Sequence, residues 1–149
     1  MTLQILVEPG PVGDGFSQAL RAAAEATLQD QGVEDSSLTV VLADETRMAA
    51  FNLEFAGQSE PTDVLSFPDG KPDPDSGRIY LGDVIVCPPI ARAGAALGQH
   101  SLLDELTLLT IHGVLHLLDH DHDTARHHAQ MWEAQARILR RLGSPVKLP

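Results

Sequence analysis

The stretch Ile111-His112-Gly113-Val114-Leu115-His116-Leu117-Leu118-Asp119-His120-Asp121-His122 places four of the chain's seven histidines within eleven positions. Ile111, Leu115 and Leu118 recur at helical spacing, so the run predicts a helix with a buried apolar face. His112 and His116 are four residues apart, which stacks their rings on one side of that helix, about one turn from each other. Two imidazoles so placed can reach a single ion at the ~2.0–2.1 Å that zinc–nitrogen bonds require. Buried without a partner, both rings would be costly, so a metal ion is the reading preferred over a merely histidine-rich helix.

A third ligand has to come from beyond the helix. Were the helix to continue, His112 and His120 would lie about 12 Å apart along its axis and could not share an ion. If it ends near Asp119, either His120 or His122 can close the site; the spacing leaves both open, and we favour His122. Three protein ligands leave a fourth position for water or substrate, as in catalytic rather than structural zinc sites. Zinc peptidases carry His-Glu-x-x-His, with the glutamate as general base. Here Gly113 follows His112, which argues against a peptidase and suggests close approach of a strand or of a substrate backbone to the helix.

Outward from this stretch, Leu3, Ile5 and Val7 alternate as in a strand, and Phe16 to Leu28 follow helical spacing with Gln31-Gly32 as the stop. Leu38 to Ala43 is a second apolar strand. Asp44 can cap a helix whose apolar face is Met48, Phe51 and Phe55 and which ends at Ala56-Gly57. Thr62 to Phe67 reads as a third strand closed by Pro68, Asp69 to Gly77 as an exposed loop, and Arg78 to Cys87 as a fourth strand. Pro89 can open a short helix through Leu97. Ser101 with Asp104 forms a capping-box-like start to the histidine helix. Asp123 or Thr124 can cap a last helix, with Gly143 just past its end. The order βαβαββααα implies an α+β fold: one domain spanning residues 1–149, with a small mixed four-stranded sheet covered by helices.

Ten Lys and Arg against 21 Asp and Glu give a net charge of −11, which disfavours broad, nonspecific nucleic-acid binding. Half of the cations, Arg126, Arg137, Arg140, Arg141 and Lys147, fall in the last 24 positions. There they suit a helix C-terminus or, as a second reading, RNA phosphates. Cys87 is the one cysteine, so no internal disulfide or four-cysteine zinc site is possible. Its place in an apolar strand predicts a small buried side chain rather than a nucleophile. A reducing, cytoplasmic setting is expected, and neither a signal peptide nor a membrane-spanning run is evident. Thr62, Asp63, Ser66 and Asp83 are candidates either to line the site or orient a ligand ring, or simply to hydrogen-bond at turns and strand ends.

The run from His112 to His122 resembles the His-Gly-x-Leu-His-Leu-x-Gly-Tyr-Asp-His signature of the YbeY family of bacterial ribosomal-RNA maturation factors. Companion segments agree in order: Pro61-Thr-Asp-Val-Leu-Ser-Phe-Pro68, Leu81-Gly-Asp-Val-Ile-Val-Cys-Pro88, Asn52, and Met131 with Glu133 before Ile138-Leu139. The likeness runs from about residue 38 to residue 142. It implies a zincin-like metal helix and a zinc-dependent endoribonuclease specific for single-stranded RNA. It further implies work on the small ribosomal subunit, in ribosomal RNA 3′-end maturation and ribosome quality control. His112, His116 and His122 are then the metal ligands, with His112 and His116 catalytic. Asp119 and His120 replace the signature's glycine and tyrosine. Ala56 stands where the family pattern has an active-site arginine, four residues after Asn52. Arg47 or Arg78 reaching the site would compensate. An assembly factor with a structural or vestigial metal is the alternative.

Overall fold

The computed structural model describes residues 3–10, 14–56, 62–118 and 124–148, with Phe55 and Ala56 in backbone only. Its elements are β1 (Leu3–Glu8), α1 (Ser17–Asp30), β2 (Ser36–Leu42), α2 (Glu45–Ala56), β3 (Val64–Pro72), β4 (Ile79–Val86), α3 (Pro88–Gly98), α4 (Leu102–Leu117) and α5 (Ala125–Arg141). This is the expected α+β order, with a short 3-10 turn ahead of α1. The strands form one mixed sheet in the order β1-β2-β4-β3. β1 and β4 both run parallel to β2, and β3 returns antiparallel to β4 at the edge. β2 is buried along its whole length, as its run of apolar and β-branched residues requires of a central strand.

α4 is the pivot of the molecule. Leu106, Leu109, Val114 and Leu117 pack with Leu20 of α1 and with Leu38, Val40 and Val84 of the sheet. Ile111 and Leu115, on another side of the same helix, pack with Ala23 of α1 and with Met131 and Ile138 of α5. A helix apolar nearly all round must be buried nearly all round, and the stripe holding His112 and His116 is what stays half-buried. On the opposite face of the sheet, Met48 of α2 packs on Val41 and Ile85.

The caps fall where side-chain chemistry puts them. The Ser101 hydroxyl accepts from the Asp104 N–H at 3.1 Å, Thr124 accepts from His127 N–H at 3.1 Å, and Asp44 accepts from Arg47 N–H at 2.8 Å. The third strand does not stop at Pro68. β3 runs on to Pro72, pairing Lys71 with Tyr80 and Pro72 with Ile79 across a bulge, so part of the expected loop is strand. An edge strand has one row of backbone groups facing outward, and there proline's missing N–H removes no ladder bond. The bulge follows the pair of Pro68 with Gly82, whose φ of +134° and closeness to the Phe67 carbonyl leave no room for a Cβ.

Candidate metal centre

His112 and His116 come together as their spacing requires. Their Nε2 atoms lie 3.0 Å apart, with ring centroids at 4.6 Å and planes at 69°. Two nitrogens bound to one tetrahedral ion at ~2.0–2.1 Å would be separated by roughly 3.3–3.4 Å, so the pair is close to ligand geometry. Both rings open on a cavity of about 310 Å³, whose other walls are Val64, Leu65, Ser66 and Pro68 of β3.

The tautomer of His112 is fixed from a third element. Its Nδ1–H donates to the side-chain oxygen of Gln135 on α5 at 2.8 Å, and Gln135 is only 1% exposed. With its proton on Nδ1, His112 presents a lone pair at Nε2, the form a metal ligand needs. The His116 Nε2–H then donates to His112 Nε2, and an ion binding both nitrogens must displace that proton. The Trp132 indole stands edge-on to His112 with centroids 6.5 Å apart, and His128 stacks on Trp132 at 4.1 Å. Gln135 was missed from the sequence: it lies 23 residues from its partner, and a lone glutamine on an amphipathic helix carries no signal of its contact.

Gly113 meets the sheet, not the cavity. A Cβ there would stand 2.5 Å from Val84 Cγ1 and 3.2 Å from Ser66 Oγ. The Ser66 hydroxyl donates to the Gly113 carbonyl at 2.9 Å, pinning β3 to α4. A peptidase-like glutamate has no room at this position, and the expected close approach is that of strand β4.

The remaining candidates divide. His122, with His120, Asp119 and Asp121, lies outside the described residues. Among the described residues no three His, Cys, Asp or Glu side chains cluster as a metal site. Asp83 is not at the histidines. It accepts from Tyr80 O–H, while the Thr39 hydroxyl lies 2.7 Å from the same phenol oxygen. Burial and the Asp83 carboxylate push Tyr80 up to about 12. Neither Arg47 nor Arg78 lines this cavity. Arg47 lies over the Phe51 ring at 5.2 Å, in a separate cavity of about 380 Å³ with Phe67, Tyr80 and Asp83. Side-chain direction alternates along a strand, so Thr39, Val41 and Asp83 line that cavity while Val84 meets α4. Arg78 donates to Gln4 Oε1 at 2.8 Å, beside β1 at the other end of the strand order. Cys87 is fully buried, and burial raises its thiol pKa, so it is a packing residue.

A family profile described as Endoribonuclease YbeY matches residues 11–143. The Endoribonuclease YbeY of Salinispora tropica is 39% identical over 150 residues, covering 93% of this chain and 94% of the relative. That of Mycolicibacterium smegmatis is 41% identical over 147 residues, covering 93% and 82%. That of Mycobacterium ulcerans is 43% identical over 111 residues, covering 70% of this chain and 62% of the relative. Among solved structures, that of TM1509 from Thermotoga maritima superposes with a TM-score of 0.62 at 27% identity, over 96% of this chain and 93% of the other.

Proposed function

This chain belongs to the Endoribonuclease YbeY family, and from that premise we propose that it is a zinc-dependent endoribonuclease specific for single-stranded RNA. Its place of action is small-subunit ribosomal RNA 3′-end maturation and ribosome quality control in the cytoplasm. The observation that carries the metal part is the pair of converging Nε2 atoms at His112 and His116, one of them held in the ligand tautomer by Gln135. His122, six residues beyond His116, is the third ligand in this reading. A bound zinc ion supplies positive charge to a phosphate oxygen in an otherwise acidic protein.

The chain's own residues do the rest. His112 and His116 hold the ion, and Gln135 keeps His112 turned toward it. Ser66 and Gly113 fix β3 against α4, so Val64, Leu65 and Pro68 form an apolar wall that limits water at the reacting phosphate. Among the described residues the cavity presents no carboxylate, so the group that takes the nucleophile's proton is to be found from the products. A 2′,3′-cyclic phosphate end marks attack by the ribose 2′-hydroxyl, and its absence marks attack by water.

The deciding experiment compares metal-free, zinc-loaded and His116→Ala protein on single-stranded RNA. Cleavage is expected from the zinc-loaded wild type alone, and His116→Ala should lose both metal and cleavage. Equal cleavage by all three would refute a metal enzyme. Ala56 favours a second reading, an assembly factor with a structural metal, because neither Arg47 nor Arg78 lines the histidine cavity. Normal zinc content and RNA binding without cleavage is its signature. An arginine fork holds phosphate by two hydrogen bonds. Ala56→Arg should therefore raise single-turnover cleavage by at least about tenfold, the scale of ~1.4 kcal/mol of barrier, with metal content unchanged.

A further inference from the structure

His112 separates two cavities. One is the histidine cavity against β3. The other, of about 250 Å³, lies between α4 and α5, and His112 and Val64 wall both. The second is predominantly apolar: Leu108 and Leu109 of α4, Trp132 of α5 and Leu148 of the C-terminal tail line it, with Asp63 and Gln135 as its polar groups. Leu148 is held there by packing against the cluster built on Ile111 and Met131. The cavity is smaller than the ~300–1,000 Å³ that takes a whole drug-sized ligand, and suits one planar ring.

We propose that this cavity is a base-binding subsite, which takes one unpaired nucleobase of the RNA whose adjoining phosphate lies at His112 and His116. The proposal rests on the endoribonuclease reading and deepens it, since it gives a physical source for selection of single strands. A base can enter only when splayed from its neighbours, and its contact with an aromatic or apolar wall offsets the lost stacking. Duplex RNA keeps its bases inside and cannot fill the cavity. The position fits one continuous strand, because the same imidazole forms the wall of both cavities and a base is tethered to its phosphate through one ribose. The apolar lining also fits a base better than a second phosphate, which would lie beside the Asp63 carboxylate. That carboxylate only accepts hydrogen bonds, so it favours the exocyclic amino group of adenine or cytosine over uracil, whose one donor, N3–H, stands between two carbonyl oxygens that a carboxylate repels.

Trp132 is the chain's one tryptophan, so intrinsic tryptophan fluorescence reports from a wall of this cavity, and ribose 5-phosphate controls for a ligand held at the neighbouring His112. The probes are 5′-AMP, 5′-CMP and 5′-UMP, which have no internucleotide bond to cut, and ribose 5-phosphate, which has no base. With zinc-loaded protein, 5′-AMP should quench Trp132 saturably and bind at least about tenfold more tightly than ribose 5-phosphate by calorimetry. Leu108→Phe, which fills the cavity from α4, should abolish that advantage while zinc content stays at the wild-type level. Leu148→Phe fills it from the tail, where helix packing is not at stake, and should do the same. Equal binding of 5′-AMP and ribose 5-phosphate, or unchanged 5′-AMP affinity in both folded variants, overturns the subsite. 5′-AMP and 5′-CMP should bind more tightly than 5′-UMP, with the gap narrowed in Asp63→Asn; equal affinities in the wild type overturn the role given to Asp63. A parallel cleavage assay separates the two readings. Cleavage of single-stranded RNA without base-dependent quenching removes the subsite and leaves the nuclease. Base-dependent quenching lost in both Phe variants supports the subsite even where no RNA is cut, and then it is the nuclease reading that fails.

Discussion

Gln135 is the residue on which the metal reading can be tested most sharply. Its side-chain oxygen accepts from His112 Nδ1–H, and an acceptor on the far nitrogen fixes the ring and raises its basicity as a ligand. Gln135→Leu is close in size but accepts nothing, and it should weaken zinc binding by about 10–100-fold, measured by competition with a chromophoric chelator. Gln135→Glu keeps an acceptor and should hold zinc at least as tightly as wild type. Equal loss in both variants would mean that Gln135 matters only for packing. The third ligand is tested by composition. His122→Ala should lose zinc and His120→Ala should keep it, and the reverse pattern in elemental analysis would overturn the assignment of His122. Protons compete for ligand imidazoles, so zinc occupancy should fall as pH drops through about 6, near the free-imidazole pKa of ~6.5. Retention well below pH 4 would exclude an all-histidine set.

Helix α4 shows what one element's sequence discloses and what it hides. The four-residue histidine spacing, the Ser101 cap and the apolar sides were all legible, because each follows from a helical period or a local hydrogen bond. The orientation of Gly113 was legible only as a possibility, since choosing between sheet and substrate requires knowing which side faces β4. That contact sets a stability prediction. Alanine for glycine in a helix gains ~1 kcal/mol in propensity. Here, however, the new methyl would stand 2.5 Å from Val84 Cγ1 on a fully buried strand residue, and overpacking costs ~1–3 kcal/mol. We expect Gly113→Ala to lose about 1–2 kcal/mol net in urea denaturation, and Gly113→Glu to lose more. A stabilised Gly113→Ala would show that β4 can yield. The extension of β3 beyond Pro68 was hidden for a different reason: proline reads as a stop until the strand is known to lie at an edge.

At the scale of the molecule, two helices distant in sequence are tied together by surface side chains. Arg137 of α5 donates to both carboxylate oxygens of Asp30 at the end of α1, at 2.6 and 2.8 Å, and Arg141 donates to Gln29 Oε1 at 2.6 Å. In sequence, the C-terminal cations suit a helix end or RNA phosphates. Arg140 and Arg141 do lie in the last turn of α5, but Arg137 and Arg141 are engaged with α1, a long-range pairing that composition cannot show. The hydrogen bonds from Arg137 hold the Asp30 carboxyl below its usual 3.8, against the opposing effect of burial. A carboxyl whose folded pKa is depressed adds stability above its unfolded pKa, and that stability is lost as pH falls through the folded value. Arg137 is half-exposed, so solvent screening keeps the contribution to about 1 kcal/mol or less. Asp30→Asn should therefore melt lower than wild type at pH 7, with the gap closing as pH drops below about 4. A gap that is constant with pH would assign the loss to packing rather than charge.

Among the described residues β3 lies at the edge of the sheet, and that position bears on how an extended peptide could approach the histidines. Zinc peptidases need their substrate extended beside the metal, and extended peptides commonly dock by adding a strand to an open sheet edge. Among the described residues β3 is such an edge, and it walls the histidine cavity. Yet its exposed second half carries Pro68 and Pro72, and a proline in an edge strand leaves its missing donor on the solvent side. An incoming chain finds gaps in the row of donors it would zip along. The same gaps discourage two copies of the molecule from joining sheet to sheet and growing into aggregates. An extended polypeptide therefore pairs poorly along this stretch of β3, which walls the cavity that the two histidines face.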